Sequence, residues 1–200
     1  MMNLPEKYAY MATGQPYNDL DPLLIQRRDR ATRLTDELNA TADPDAKATL
    51  FTALVGSVGP RPLVNPNFRC EFGDNIHVGR DFYANYDVVM LDGAPITIGD
   101  AVLFGPKVGL YTSNYLIDPT ERAQGGCIAK PITIGNQCWL AANVTVLPGV
   151  TIGAGTVIGG GSVVTHDIPE HVVAAGNPCQ VLRPITAADR TGFALPNIWY

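Results

Sequence analysis

The sequence predicts a mainly β protein whose strands wind into a parallel β-helix, and three observations support that fold class. Aliphatic side chains recur at every sixth position in the second half of the chain. Glycine and proline number 20 and 16, which disfavours a helical bundle or coiled coil because both residues interrupt helices. Only 16% of the residues are charged while 46% are hydrophobic, and this balance excludes an intrinsically disordered chain.

The six-residue repeat is clearest between residues 134 and 168. A period of six matches neither an α-helix nor a single β-strand, whereas three hexads fit one triangular turn of a β-helix. One side chain per hexad is expected to point to the shared axis and stack on the turn below. The residue after it is expected at a tight corner, where a left-handed backbone favours glycine. The repeating aliphatic residues are Ile134, Leu140, Val146, Ile152, Ile158 and Val164, each followed four positions later by Cys138, Val144, Val150, Thr156, Ser162 and Ile168.

The repeat extends upstream with one interruption. The upstream positions in the pattern are Phe72, Val78, Ile98, Phe104 and Leu110. Residues 111–131 break the pattern with polar and turn-forming residues, so they are predicted to form a projecting loop. The predicted β-helix therefore spans residues 61–185 with this loop, and residues 186–200 form a C-terminal tail.

The first 60 residues have a helical pattern and are predicted to form a cap. Apolar residues three and four positions apart indicate a helix that Asp19 or Asp21 caps at its start, with Pro22 in the first turn. A second helix is predicted over residues 44–58, where a glycine–proline pair would end it. The cap is therefore assigned to residues 1–60.

Charge and cysteine content exclude several partners. A net charge of −5 and an isoelectric point near 5.0 argue against nucleic acid or an anionic membrane as the main partner. Residues 131–166 contain no charged side chain, yet their glycines and Pro148 disfavour a membrane-spanning helix. Four cysteines without CxxC spacing, and no signal-like apolar run at the start, predict free thiols in the cytoplasm. The chain has only three histidines, so no metal site is predicted.

Several short motifs carry a family resemblance. They are Tyr17-Asn18-Asp19, the segment 67–85, the run PITIG at 131–135, the pair CW at 138–139, PGVTIG at 148–153 and AAGNPC at 174–179. Together they resemble the hexapeptide-repeat sugar O-acetyltransferases, the family of maltose, galactoside and nodulation-type acetyltransferases. The resemblance covers nearly the whole chain, including the helical N-terminus.

The resemblance implies a homotrimer of left-handed parallel β-helices, with acetyl-CoA in the groove between two subunits and a sugar as acceptor. It implies that Asn85 lies in the catalytic site and that Asp19, Tyr83 and Asp92 lie on the acceptor side. Some coenzyme contacts would be made by backbone groups, with the Ala142 N–H as the candidate donor to the oxyanion. The positions that match the coenzyme side are Trp139, Ala142, Gly160, Thr165, His166 and Arg183.

The chain departs from the family pattern at the general base. The family loop carries a histidine that accepts the proton of the sugar hydroxyl, and Tyr115 stands at that position here. A histidine with a pKa of roughly 6.5 is mostly basic at pH 7, whereas a phenol with a pKa of about 10 accepts a proton poorly. Glu71, which is also placed among the acceptor-side residues, and Gly93 differ from the galactoside-type acceptor residues. On the coenzyme side, His166 and Gln180 replace a lysine and an arginine.

Two functions therefore remain open. The first is an acetyl-CoA-dependent O-acetyltransferase acting on a sugar hydroxyl, with Tyr115 in the catalytic position. The second is a catalytically impaired relative or substituted variant that binds acetyl-CoA or a sugar without efficient turnover. The arginines of the first long helix are expected on a solvated face with partners such as Asp29 and Glu37, and acceptor binding by Arg28 is the alternative.

Overall fold

The computed structural model describes residues 2–193 and confirms the predicted fold class. Short parallel strands form three sheets, which are the three faces of a β-helix, and helices pack against one end. Of the predicted tail, residues 194–200 lie outside the described residues. The helices are α1 (Leu4–Met11), α2 (Pro22–Ala40), α3 (Pro44–Leu54) and α4 (Pro119–Ala123), with a 3-10 turn at Ala187–Asp189.

The strands are grouped here by sheet. Face 1 contains β2 (Ser57–Val58), β5 (Ile76–Val78), β8 (Ile96–Ile98), β13 (Ile132–Ile134) and β16 (Thr151–Ile152). Face 2 contains β3 (Leu63–Val64), β6 (Tyr83–Ala84), β9 (Leu103–Phe104), β14 (Trp139–Leu140), β17 (Val157–Ile158), β19 (Val172–Gly176) and the antiparallel β20 (Cys179–Pro184). Face 3 contains β4 (Arg69–Cys70), β7 (Val89–Leu91), β10 (Gly109–Tyr111), β15 (Thr145–Val146) and β18 (Val163–Val164). A separate antiparallel sheet contains β1 (Tyr17–Asn18), β12 (Gly126–Ala129) and β11 (Ser113–Tyr115), in that order.

Each hexad sends two side chains into the β-helix, not the single one predicted. Ile134 and Cys138 are both buried, and the same holds for every later pair through Val164 and Ile168. The second residue lies at the corner that precedes the next strand, where its side chain also points inward. The interior is therefore a continuous column that is apolar except for Thr156 and Ser162, so the inward positions of residues 131–166 carry no charged side chain. No helix within residues 2–193 is long and apolar enough to cross a membrane.

The glycines that follow the aliphatic residues allow turns to approach closely and do not adopt the predicted left-handed backbone. A Cβ on Gly135 would lie 2.5 Å from the backbone nitrogen of Ala154 in the next turn. The left-handed residues come three positions after the aliphatic residue, as at Gln137 (φ 57°), Asn143 (φ 58°) and Gly149 (φ 86°). The prediction of a tight corner is thus correct, but the assignment of the left-handed residue was wrong.

Helix α3 closes one end of the β-helix. The buried ring of Phe51 packs against Phe68 and Phe82, with ring centroids 5.5 and 6.3 Å apart. An uncovered terminal turn would expose its apolar interior to water, so this plug stabilises the repeat. The cap and the β-helix consequently share one hydrophobic core.

The helix boundaries differ in part from those predicted. Asp21, one of the two predicted caps, caps α2 by accepting the N–H of Leu23. The helix predicted over residues 44–58 ends at Leu54. The prediction was wrong at this end because Ser57 pairs in parallel with His77 and opens face 1 of the β-helix.

Successive turns differ in length at one corner. On face 1, His77 pairs with Thr97, twenty residues later, whereas Thr133 pairs with Thr151, eighteen residues later. The two extra residues of the early turns lie between faces 3 and 1, and the long insertion leaves the next turn at the same place. We call this place the loop corner, and it consists of residues 71–75, 92–95 and 112–131.

Candidate active site

The sequence-predicted site residues fall into two groups at different corners of the chain. Glu71 and Asp92 lie at the loop corner, and Tyr115 belongs to the insertion that leaves it. Asn85, Ala142 and Gly160 instead follow strands of face 2, at the corner between faces 2 and 3. We call these two separate groups of candidate residues the half-sites.

The antiparallel sheet joins the cap to the loop and carries Tyr115. Tyr17 and Tyr115 are both directly opposite Cys127, so the three side chains share one face of this sheet. The Tyr17 hydroxyl lies 3.4 Å from Ser113 Oγ, while the Tyr115 side chain is 60% exposed. Burial raises the pKa of Cys127 to about 12, so its thiol stays protonated at neutral pH.

Arg28 connects the cap to the loop corner. Its guanidinium donates to the Asp19 carbonyl oxygen at 2.8 Å and also binds the Asp19 carboxylate. It donates to Glu71 Oε1 through Nε at 3.0 Å and Nη2 at 2.8 Å, and it lies 5.1 Å from the centroid of the Phe72 ring. The expectation of a solvated helix face was therefore wrong for Arg28, because these partners come from outside α2.

A neighbouring arginine, Arg27, also connects the cap to the loop corner. Arg27 donates to both oxygens of Asp74, and the Tyr8 hydroxyl donates to the same carboxylate. The sequence signal that could have located these acids is the two-residue lengthening of the early turns, since Glu71 and Asp74 occupy the first lengthened segment.

Glu71 is a largely buried acid with one oxygen unoccupied. Its side chain is 13% exposed, and both Arg28 bonds end on Oε1. Within residues 2–193 no group donates to Oε2, and this oxygen is not fully buried. Burial raises the pKa of Glu71 to about 7, although the hydrogen bonds and charge of Arg28 act in the opposite direction.

Asp92 is fully buried and its oxygens are occupied by backbone groups. Oδ1 accepts the N–H groups of Glu71 (3.1 Å) and Phe72 (2.8 Å), and Oδ2 accepts that of Asn75 (3.2 Å). Burial raises its pKa to about 6 against the effect of these donors. In this geometry the carboxylate shapes the segment that carries Glu71 and does not reach the surface.

The other half-site begins with an exposed apolar stripe along the outside of face 2. Trp139 is 50% exposed and lies between Leu103 and Val157 in neighbouring strands. Tyr83 continues the stripe, and its hydroxyl accepts a hydrogen bond from Asn65 Nδ2 at 2.9 Å. An apolar stripe of this kind is available to a ligand or to another subunit.

At the adjoining corner, backbone groups from successive turns stack. The Ala142 carbonyl accepts the N–H of Gly161, and a Cβ on Gly160 would lie 3.2 Å from that carbonyl oxygen. The Ala142 N–H has no acceptor among the described residues. Asn85 Oδ1 accepts the N–H of Tyr86 at 2.8 Å, which fixes the orientation of its amide.

The remaining coenzyme-side predictions lie near the C-terminal end of the β-helix. Thr165 Oγ1 and His166 Nδ1 are 2.8 Å apart, and both residues are close to solvent just after face 3. Arg183 forms a bidentate pair with Asp189 at 2.9 and 2.7 Å, and this pairing lowers the pKa of Asp189 to about 2. Arg183 would have to leave Asp189, at least in part, to bind a phosphate.

These features define a class of protein: a hexapeptide-repeat β-helix with a helical cap joined to a projecting loop. The maltose acetyltransferase hexapeptide capping motif matches residues 10–59, and the bacterial transferase hexapeptide, with six repeats, matches residues 131–166. The chain is 39% identical over 191 residues to the galactoside O-acetyltransferase of Escherichia coli (strain K12), covering 94% of each protein. It belongs to the hexapeptide-repeat acetyltransferase family that includes the maltose and galactoside enzymes.

Solved structures agree with this assignment. A maltose O-acetyltransferase from Clostridium difficile 630 matches with a TM-score of 0.87 and 41% identity, covering 90% of this chain and 97% of that one. A galactoside acetyltransferase in complex with coenzyme A matches with a TM-score of 0.87 and 38% identity, covering 94% of each chain. The likeness therefore extends over the cap, the β-helix and the loop.

Proposed function

We propose that this protein transfers the acetyl group of acetyl-CoA to a hydroxyl group of a sugar. The observation that carries the proposal is the pair of half-sites, one apolar with an open backbone donor and one polar and charged. The first suits the pantetheine and thioester of a coenzyme, and the second suits a hydroxyl-rich acceptor. The structural relative in complex with coenzyme A, and the names of the galactoside and maltose enzymes, support coenzyme A and a sugar as the two ligands.

The active form is proposed to be a homotrimer. The two half-sites lie at different corners of one chain, so a complete site needs the loop corner of one subunit beside face 2 of another. The stripe that contains Leu103 and Trp139 would then be covered by the neighbouring subunit and the coenzyme. Leu63 is 53% exposed at the start of the same stripe, which fits an interface running along the helix axis.

In the proposed reaction, the chain contributes mainly by positioning. Trp139 and Gly160 would hold the coenzyme against the β-helix, with Thr165, His166 and Arg183 further along the groove. The Ala142 N–H would donate to the oxyanion that develops on the thioester carbonyl oxygen. Asp19, Tyr83 and Asn85 would orient the acceptor, and Asp92 would act through the segment it shapes. Holding both reactants in one groove lowers the barrier by making the attack effectively unimolecular.

Tyr115 is the residue that favours the second candidate function. Its hydroxyl donates a hydrogen bond more readily than it accepts a proton, so a site that depends on a base at this position would bind its ligands without turning them over efficiently. The catalytically impaired relative therefore remains the alternative. A cytoplasmic location, where acetyl-CoA is available, remains a prediction.

The experiment that decides between the two measures thiol release from acetyl-CoA over a panel of mono- and disaccharides. The wild-type chain and Tyr115→His are compared, with Tyr10→His as a matched control on the cap. Sugar-dependent release by the wild-type chain supports the acetyltransferase. Release by Tyr115→His alone, at least 100-fold above the wild type, shows a competent site silenced by Tyr115. Binding of acetyl-CoA with no release by either protein supports the binding function.

A further inference from the structure

We infer that Glu71 is the general base of the proposed acetyl transfer, accepting the proton of the acceptor hydroxyl in place of the histidine that the loop lacks. The inference rests on the proposed function, and it makes the chain a working enzyme with its base moved to a different element. Glu71 thereby becomes a catalytic residue, and Tyr115 a hydrogen-bond donor at the edge of the acceptor site.

Hydrogen bonds from Arg28 fix the orientation of the Glu71 carboxylate. Arg28 holds Oε1 with two N–H groups, and Asp19 in turn holds Arg28 through its carbonyl oxygen and carboxylate. The rotation of the carboxylate is thereby restricted, and Oε2 has no donor among residues 2–193 and is not fully buried. A base needs one accessible lone pair in a fixed direction, and Oε2 provides it.

Glu71 also lies close in the fold to the insertion that carries Tyr115. Glu71 lies at the loop corner, and Tyr115 belongs to the insertion that projects from this corner. Cys127 is directly opposite Tyr115 in the sheet, and its pKa is raised by burial and then by the charges of Asp19 and Glu71. Phe72, next to Glu71 in the chain, packs in one buried cluster with Tyr17 and Cys127 of that sheet, and Arg28 links Glu71 to Asp19, which directly follows β1. The loop corner around Glu71 therefore adjoins the sheet that carries Tyr115, and the acceptor is placed between these two elements.

The other groups that could accept a proton are already occupied by hydrogen-bond partners. The Asp92 oxygens are buried and occupied by three N–H groups. His77 is hydrogen-bonded to Ser57 on face 1, and His166 contacts Thr165. Of the charged and titratable groups around Glu71, Arg28 and Asp19 come from the cap, Asp92 from the next turn, and the neutral Tyr17 and Cys127 from the sheet. Among these groups Glu71 combines an open oxygen with a pKa of about 7, which suits a base at neutral pH.

The chemical step balances without a further reactant. The acceptor hydroxyl oxygen forms a bond to the acetyl carbon as its proton passes to Glu71 Oε2. The tetrahedral intermediate then collapses, the carbon–sulfur bond breaks, and its electron pair leaves on the sulfur of coenzyme A. The proton on Glu71 passes to that thiolate, directly or through water. The products are the sugar acetate and free coenzyme A, and the carboxylate is regenerated.

The test measures kcat and kcat/KM between pH 5.5 and 9 for the wild-type chain and Glu71→Gln. Glutamine keeps an oxygen for Arg28 but cannot take a proton at neutral pH. Glu37→Gln makes the same chemical change on an exposed face of α2 and is the matched control. The affinity for acetyl-CoA, measured by calorimetry, and the melting temperature show whether the variant remains folded and able to bind.

The expected result is a wild-type rate that rises with pH through an inflection near 7, because Glu71 must be deprotonated to act. Glu71→Gln is expected to lose about 10²- to 10⁴-fold in kcat together with that inflection, with acetyl-CoA affinity unchanged. Glu71→Asp should retain part of the rate and a carboxylate inflection. In the Glu71→Gln background, Tyr115→His should restore activity with the pH profile of a histidine.

Other outcomes overturn the inference in distinguishable ways. If Glu71→Gln keeps the wild-type kcat and inflection, acetyl transfer stands but Glu71 is not its base. If the wild-type chain is inactive and Tyr115→His is active, the site is competent and Glu71 does not serve it. If neither transfers acetyl while both bind acetyl-CoA, the proposed function itself fails.

Discussion

The carboxylate of Asp92 fixes the backbone of Glu71, accepting its N–H at 3.1 Å from the next turn of the β-helix. Asp92 is fully buried, while the Glu71 side chain keeps 13% of its surface exposed. The relationship places a buried acid in one turn beneath a functional candidate in the neighbouring turn. Both exist because two additional residues lengthen each of these turns at the same corner.

Replacing Asp92 with asparagine is expected to destabilise the protein. An amide offers one acceptor oxygen where the carboxylate offers two, so at least one buried N–H at Phe72 or Asn75 loses its partner. The expected loss is about 2 kcal/mol in the free energy of unfolding. Urea denaturation of Asp92→Asn measures it. The matched control is Asp167→Asn, an exposed acid whose single bond to the Thr151 N–H an amide can keep, and an equal loss in both variants would contradict the assignment.

The stability of the cap should depend on pH through Glu71. Its pKa is about 7 in the folded chain against 4.5 for a free glutamate side chain, so the folded state binds the proton more tightly. The stabilising contribution is complete below pH 4.5 and is lost as the pH rises to about 7. As the pH rises between these limits, the free energy of unfolding of Glu71→Gln should therefore increase relative to that of the wild type by up to about 3 kcal/mol. Urea denaturation of both proteins at several pH values measures the difference, which stays constant if Glu71 has an ordinary pKa.

The two kinds of corner glycine should respond differently to substitution. Gly135→Ala places a Cβ 2.5 Å from the Ala154 backbone nitrogen, so the turns must move apart. We expect a loss of about 3 kcal/mol or more, because the obstacle is backbone. In Gly161→Ala no atom lies within 4 Å of the new Cβ, so the only cost is the left-handed backbone at φ +72°. We expect this strain to lower the free energy of unfolding by about 1 kcal/mol. Thermal melting of both variants gives the order, and equal losses would contradict the close-packing role.

A charge in the stripe of face 2 should separate the subunits. Leu103 is 47% exposed in a single chain and lies next to Trp139. In the proposed trimer Leu103→Glu would bury an unpaired charge, which favours dissociation. Sedimentation velocity should show a trimer for the wild type and smaller species for the variant. Ile25→Glu, at 43% exposure on α2, should leave the assembly intact, and a monomeric wild-type chain would contradict the proposal.

The hexad alone was sufficient to predict the fold class and one of the two interior positions in each repeat. Ile134, Leu140 and Val146 are buried as predicted because a repeat of fixed period stacks each of them between the equivalent residues of the two neighbouring turns. The role of the glycines was harder to predict. Both a left-handed backbone and a close neighbouring turn require glycine at Gly135, and sequence does not separate the two.

The candidate site was less accessible from sequence, because its contacts join distant segments. Arg28 is bonded to Asp19, 9 residues away, and to Glu71, 43 residues away. No local pattern relates these three residues. The resemblance named Asp19, Glu71 and Tyr115 singly, and whether these residues bind or react stays a prediction. Asn85 and Ala142 lie apart from these residues because they follow strands of face 2, whereas Glu71 and Tyr115 follow strands of face 3.

The sequence by itself determined the repeat, the buried column and the existence of a cap and a loop, because these depend on local spacing and on which side chains avoid water. The tertiary structure alone decided that α3 plugs the β-helix, that β1 of the cap pairs with the loop, and that Arg28 reaches Glu71. These features depend on contacts between segments that are distant in the sequence. Ion pairing and burial act through space, so the free oxygen of Glu71 and its raised pKa could be seen only after the chain had folded.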